Sequence, residues 1–283
     1  MYKTIVVHID GGAGQDSRLR AASLLANEHG AHLVGTAATG VSWLDYAVLT
    51  GSFGAPVPLP ESDFQGMRDA AEARLDVFRR EAGRLGVASF EAHANDDDAA
   101  YALLLESRYA DLVVLSRDMA GNAAASALGG VTHLPEYLAL HGARPVLVVP
   151  PGYGDAAIPG TAVVGWDGGM QALRAISAAL PLLRRANNVQ LAIINPGQRA
   201  GLHGDQPGAD MALYLARHGV PVEVVTERTT ATEGSALMAL ARGSGAGLMV
   251  AGAYGHSRYR EWILGGVTRE LLERATVPLF IAH

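Results

Sequence analysis

The chain has no cysteine in its 283 residues. That excludes disulfides, thiol catalysis and Cys-ligated zinc or iron–sulfur sites. It also has no excess of positive charge: 22 Lys and Arg against 28 Asp and Glu give a net charge of −6, so no basic footprint for nucleic acid exists. No apolar run reaches the length of a membrane span. The opening Met-Tyr-Lys-Thr-Ile-Val-Val-His-Ile reads as a first strand, not as a signal peptide with a cleavage site. No Gly-x-Ser-x-Gly elbow, His-Glu-x-x-His pair or paired-carboxylate constellation occurs, and the remaining histidines lack metal-ligand spacing. What is abundant is hydrophobic content, at 49% of residues, which requires a folded chain. The length suits two domains, and the expected location is the cytoplasm.

The chain is written twice. Thr4-Ile-Val-Val-His-Ile-Asp10-Gly-Gly matches Thr161-Ala-Val-Val-Gly-Trp-Asp167-Gly-Gly. A helical stretch follows each, Asp16 to Gly30 and Met170 to Ala186, and then a strand, Ala31 to Thr36 and Val189 to Ile194. Further on, Ala110 to Ser116 matches Ala246 to Gly252, and Gly129-Gly-Val-Thr132 matches Gly265-Gly-Val-Thr268. Both copies close on a Pro-led apolar strand, Arg144 to Val149 and Val277 to Ile281. Near-continuous apolar strands alternating with helical patterns predict parallel sheets covered on both faces. Each copy is therefore expected to be a doubly wound α/β domain, with its ligand outside the strand C-termini. The boundaries predicted are 1–150 and 161–283, joined by the Pro/Gly-rich linker 151–160.

The richest motif lies in the second copy. The apolar run Gly247 to Ala251 leads into Gly252-Ala-Tyr-Gly255, nine residues intervene, and Gly265-Gly266-Val267-Thr268 opens a helical stretch. A glycine at a strand end admits close backbone approach, and a helix N-terminus offers unpaired N–H groups to an anion. A phosphate cradle is the chemistry this pattern suits. It lacks the Gly-Lys-Ser/Thr of a P-loop and the spacing of a Rossmann fingerprint.

This spacing resembles the nucleotide loop of the universal stress protein family, and the resemblance covers nearly the whole chain, twice. It implies an α/β fold of two tandem doubly wound, Rossmann-like domains of the adenine-nucleotide α-hydrolase type, forming an intramolecular pseudo-dimer. A homodimer of chains is the alternative pairing. It implies an adenine nucleotide, ATP with Mg²⁺ or else AMP or ADP, held in the second domain by Gly252, Gly255, Gly265, Gly266, Val267 and Thr268. Asp167 stands where the family places an adenine-contacting acid, and Ile194 where it places an apolar residue against the base. Two positions depart from the pattern: Gly266 replaces a common Ser or Thr, and Gly169 replaces a Ser often found beyond the acid. In the first copy Ser116 and Met119 stand in place of Gly252 and Gly255, so a degenerate site is expected there.

The function implied is a stress-response regulator that binds nucleotide, acts through an unknown protein partner, and has at most weak ATP hydrolysis. An adenylating or pyrophosphate-releasing enzyme of the same superfamily is the first alternative, although no catalytic lysine or complete Ser-Gly-Gly-x-Asp loop stands in place. A scaffold without nucleotide is the second. Other features carry bland expectations. Asp96-Asp97-Asp98 precedes a helical run and suits capping rather than metal binding. His8 lies in an apolar strand as a core residue. His256, Arg258 and Arg260 either screen phosphate or form a solvated basic loop. The segment from Val41 to Pro60 is a long loop, with Trp43, Tyr46 and Phe53 either packed on their own domain, the favoured reading, or anchoring a lid or partner-docking surface; a helix from about Ser62 to Gly86 follows.

Overall fold

A computed structural model describes residues 1–42, 46, 61–117, 131, 133–154, 156–199, 206–254 and 266–283. The chain divides into two compact units, Tyr2–Arg144 and Pro145–His283, with Met1 grouped with the latter.

The first unit contains β1 (Thr4–His8), α1 (Gln15–His29), β2 (His32–Ala38), α2 (Glu61–Arg84), β3 (Phe90–Asn95), α3 (Ala99–Ser107), β4 (Leu112–Ser116) and α4 (Leu134–His141). Its strands lie in the order β3-β2-β1-β4, and every pairing between them is parallel. Strand β1 forms because its run of β-branched residues fits a sheet buried on both faces; Ile5, Val6 and Val7 are all sealed from solvent. Helix α1 covers it through Leu19, Ala22, Leu25 and Ala26, which recur at helical spacing and are all buried. Each such leucine contributes roughly 2 kcal/mol by leaving water. Gly30 ends the helix in the left-handed region at φ 59°, returning its N–H to Ala26 and Asn27.

The second unit contains β5 (Val146–Val149), β6 (Thr161–Gly165), α5 (Met170–Leu183), β7 (Asn188–Ile194), a 3₁₀ turn (Pro196–Arg199), α6 (Ala209–Arg217), β8 (Val222–Glu227), α7 (Glu233–Gly243), β9 (Leu248–Gly252), α8 (Gly266–Arg274) and β10 (Leu279–Ala282). Its order is β5-β10-β9-β6-β7-β8. All pairings are parallel except β5 with β10, where Val146 faces Ile281 antiparallel. Thus the closing strand of the first repeat pairs with its counterpart from the second.

The doubly wound α/β architecture expected from the sequence is present, with element ends shifted by one to three residues. The helix expected from Ser62 runs Glu61–Arg84. The acidic triplet is used as capping predicts: Asp98 Oδ1 accepts from the N–H groups of Ala100 (2.9 Å) and Tyr101 (3.1 Å), while Asp96 pairs with Arg68. No group of three His, Asp or Glu among the described residues is disposed to hold a metal. Trp43 and Phe53 lie outside the described residues.

In each unit the strand order reverses at one place, between β1 and β4 in the first and between β6 and β9 in the second. Crevices for ligands form outside the carboxyl ends of strands at such points. Asp10 and Ser116 stand there in the first unit, Asp167 and Gly252 in the second.

Candidate nucleotide site

In the second unit the site is built from three strand ends and one helix start. Asp167 follows β6 by two residues. Its Oδ1 accepts the Gly169 N–H at 2.8 Å, closing a short turn that starts α5. A Cβ at Gly169 would come within 2.9 Å of that oxygen, so the Ser common at this position in the family pattern would press on the carboxylate. Ile194 ends β7, half-buried, opposite Glu227 of β8. Asn195 continues the chain in the left-handed region at φ 49°, which its short polar side chain tolerates. Its Oδ1 accepts from the Thr229 N–H at 2.9 Å, and its own N–H donates to Glu227 O at 2.8 Å. A cleft of about 400 Å³ opens beside it, lined by Asn195, Gly197, Arg228, Thr229 and Thr230. Sequence reasoning stopped one residue short of this cleft. The available signal was Asn195-Pro-Gly197, a turn signature placed at the end of a buried strand.

Gly252 ends β9, adjacent to β6 through the Val164–Val250 pairing. A Cβ at Gly252 would meet the backbone nitrogen of Ala172 at 2.5 Å and its Cα at 3.0 Å. Glycine is therefore required here by the first turn of α5, a cause separate from any ligand. Two residues on, Tyr254 takes φ 56°, an uncommon conformation for a bulky residue. Its N–H donates to Thr268 Oγ1 at 3.1 Å, and that hydroxyl lies 3.4 Å from the Gly252 carbonyl as donor. Thr268 is 4% exposed, so its hydroxyl serves the loop rather than reaching outward. Gly266 begins α8 exposed, with no atom within 4 Å of where a Cβ would stand, and Val267 is half-buried. Gly255, Gly265, His256, Arg258 and Arg260 lie outside the described residues.

The first unit carries different chemistry at the same place. Arg18, on α1 and 1% exposed, reaches the strand ends. Its Nη2 donates to Asp10 Oδ1 at 2.7 Å, and its Nη1 donates to Ser116 Oγ at 2.8 Å. Ser116 donates in turn to the Gly14 carbonyl at 3.0 Å. A Cβ at Gly14 would lie 2.6 Å from that hydroxyl, so the small residue is on the helix here and on the strand in the second unit. Asp10 Oδ1 also accepts the Gly12 N–H at 2.8 Å, and Arg74 caps the Ala38 carbonyl at 2.8 Å. Burial works to raise the Asp10 pKa, but the charge and hydrogen bonds of Arg18 overcome it and hold the carboxyl at about 2. His8 is buried as expected, with its Nδ1 3.8 Å from Asp10. Burial, reinforced by Arg18 and Arg74 against the pull of Asp10, lowers its pKa to about 4.

No protein-family model matches the chain, and no curated protein matches it by sequence. Solved structures do match by shape. A universal stress protein from Archaeoglobus fulgidus DSM 4304 superposes with a TM-score of 0.70 at 14% identity, covering 98% of this chain and 95% of that one. The chain has the universal stress protein fold. A putative universal stress protein from Pseudomonas aeruginosa UCBPP-PA14 gives 0.57 at 13% identity over 99% of this chain and 93% of its own. A protein of unknown function from Pseudomonas aeruginosa PAO1 gives 0.58 at 13% identity, with 99% and 92% covered. These matches span nearly the whole chain, both of its units included.

Within that fold, Asp167, Ile194, Gly252, Gly266, Val267 and Thr268 all fall at the carboxyl end of the second unit's sheet or at the helix start tied to it. In the first unit the place of Gly252 is taken by Ser116, whose hydroxyl is engaged by Arg18 and by the Gly14 carbonyl. Its side chain turns to α1, and the large group at that place is Arg18, which sequence reasoning missed. The signal was there: an arginine inside an otherwise Ala/Leu-rich helical face, with Ala175 at the equivalent place of the second copy. Met119, Gly129, Gly130 and Thr132 lie outside the described residues.

Proposed function

We propose that this chain is a nucleotide-binding regulator of a stress response, holding an adenine nucleotide in its second unit with little or no turnover. One observation carries the reading. The strand order reverses between β6 and β9, so Asp167 and Gly252 stand on neighbouring strand ends, and Thr268 ties the start of α8 to that same edge. A carboxylate can accept the amino group of a base, and the open first turn of a helix can receive phosphate. In this reading Gly255, Gly265, Gly266 and Val267 supply backbone approach and N–H donors, and Ile194 packs against the base. Thr268 shapes the loop.

The described residues offer no three-carboxylate or imidazole set. Mg²⁺ is therefore proposed to arrive on the nucleotide phosphates, as is usual for that ion, without a protein ligand assigned to it. No general base is assigned either, so hydrolysis should be slow. Among the described residues no helix is long and apolar enough to cross a membrane. We place the protein in the cytoplasm, where nucleotide binding would alter the surface α8 shows to a protein partner.

Calorimetric titration of nucleotide-stripped protein with ATP and Mg²⁺ tests this, together with a steady-state assay of phosphate and pyrophosphate release. Micromolar binding at one site per chain with negligible turnover is the expected result, and Asp167→Ala and Gly255→Val should each abolish it. Rapid pyrophosphate release would instead point to an adenylating enzyme. Absence of binding at millimolar ATP would favour a scaffold.

A further inference from the structure

The two copies differ most sharply at one buried helical position. Eight residues after Asp10 stands Arg18, and eight after Asp167 stands Ala175; each is 1% exposed. Arg18 does not merely lie near the strand ends. It bridges Asp10 (2.7 Å) and Ser116 (2.8 Å), the two counterparts of Asp167 and Gly252. Where Ala175 contributes a methyl group, the first unit inserts a full guanidinium between the end of β1 and the end of β4.

An arginine is among the costliest side chains to bury, and the cost is met only by close pairing with a carboxylate and satisfied N–H groups. The pairing its two terminal nitrogens find is provided by residues at the strand-end crevice: Asp10 gives both oxygens, at 2.7 and 3.4 Å, and Ser116 gives its hydroxyl, while the buried Nε has no hydrogen-bond partner among the described residues. The rest of the unit adapts to the insertion. Gly14 leaves room for Ser116, and the Ser116 hydroxyl donates its own hydrogen bond to the Gly14 carbonyl. The planar N–H fork of Arg18 thus offers the Asp10 carboxylate the same kind of donor that the amino group of a base would offer it.

We infer that Arg18 is a built-in occupant of the first unit's strand-end site, standing in for a ligand and confining nucleotide to the second unit. This rests on the proposed nucleotide site at Asp167 and Gly252. The first unit is in this view a closed copy, held shut by one side chain of its own first helix.

Photolabelling with 8-azido-ATP and Mg²⁺, competed by unlabelled ATP and mapped by peptide mass spectrometry, tests it alongside titration stoichiometry. In the native chain, competed label should fall only in residues 145–283. In Arg18→Ala it should appear in residues 2–144 as well, and stoichiometry should rise from one site to two. Because Arg18→Ala leaves the half-buried Asp10 carboxylate without its cation, the pair Asp10→Asn with Arg18→Ala provides a second test, since it removes both charges together and should show the same gain. Competed label in the first unit of the native chain would overturn the inference. So would folded variants that still label the second unit yet gain nothing in the first. Loss of second-unit labelling in every protein would instead reject the nucleotide reading itself.

Discussion

Thr268 Oγ1 accepts the N–H of Tyr254 at 3.1 Å and stands 3.4 Å from the carbonyl of Gly252, so one buried hydroxyl fastens the first turn of α8 to the end of β9. The two residues are 14 apart in sequence, and Gly255, Gly265, Gly266 and Val267, the proposed phosphate contacts, all lie between them. Replacing Thr268 with Val keeps the shape and removes the clasp. We expect Thr268→Val to lose about 1 kcal/mol of unfolding free energy, the net worth of such a bond. ATP affinity should fall several-fold with it, and Thr268→Ser should recover both. Denaturant melts and ATP titration of the two variants decide the matter; a valine variant equal to the native chain in both would remove Thr268 from the account.

Gly252 has a structural obligation that can be separated from ligand binding. A Cβ there would sit 2.5 Å from the Ala172 nitrogen, backbone that cannot swing aside. Gly252→Ala should therefore cost roughly 1–3 kcal/mol of stability in the absence of any nucleotide, the range for overpacking a close contact. Equilibrium unfolding without nucleotide provides the check. An unaltered midpoint would mean that α5 yields and that the glycine is there for something else.

Gly266 makes the opposite case. Its Cβ position is open, and it opens α8 at an exposed site. Gly266→Ser should leave stability within about 0.5 kcal/mol of the native chain. It should also tighten ATP, because the added hydroxyl supplies a donor at the start of the helix. Titration of the serine variant showing equal or weaker affinity would place the phosphates away from this turn.

The repeat made the fold legible. Strand runs such as Thr4–His8 and Thr161–Gly165 are buried on both faces, so their composition alone announces a parallel sheet. The acid at each first strand end and the glycine at β9 were legible for the same reason, since position at a switch point follows from strand order. What the sequence hid were contacts made through space. Gly252 reads as a strand-end glycine kept for a ligand, yet its neighbour is the first turn of a helix some 80 residues earlier in the chain. Arg18 stands out in an Ala/Leu-rich helical face, but its partner Ser116, 98 residues away, cannot be read from the sequence. Thr268 reads as a phosphate contact, and only its burial shows the hydroxyl turned inward.

The cluster around Arg18 should leave a mark on acid stability. His8 is neutral when folded, held at about 4 by burial first and by Arg18 and Arg74 next, with Asp10 opposing. Unfolded, it titrates near 6.5. Between those values the unfolded chain binds more protons, so stability falls as pH drops from about 6.5 to about 4, by up to roughly 3 kcal/mol. Asp10 acts lower down. Its folded pKa is depressed to about 2 by Arg18 against the opposing effect of burial, so what it contributes is intact above about 4 and disappears toward pH 2. Two stages of acid loss follow, and they separate by mutation. His8→Gln should flatten the stage between pH 6.5 and 4 and keep the loss below it. Unfolding free energies from guanidinium melts, taken at half-unit pH steps in both proteins, supply the comparison. Identical slopes between pH 6.5 and 4 would show that His8 takes up its proton as readily in the folded chain as in the unfolded one, and His8 would then have no part in acid sensitivity over that range.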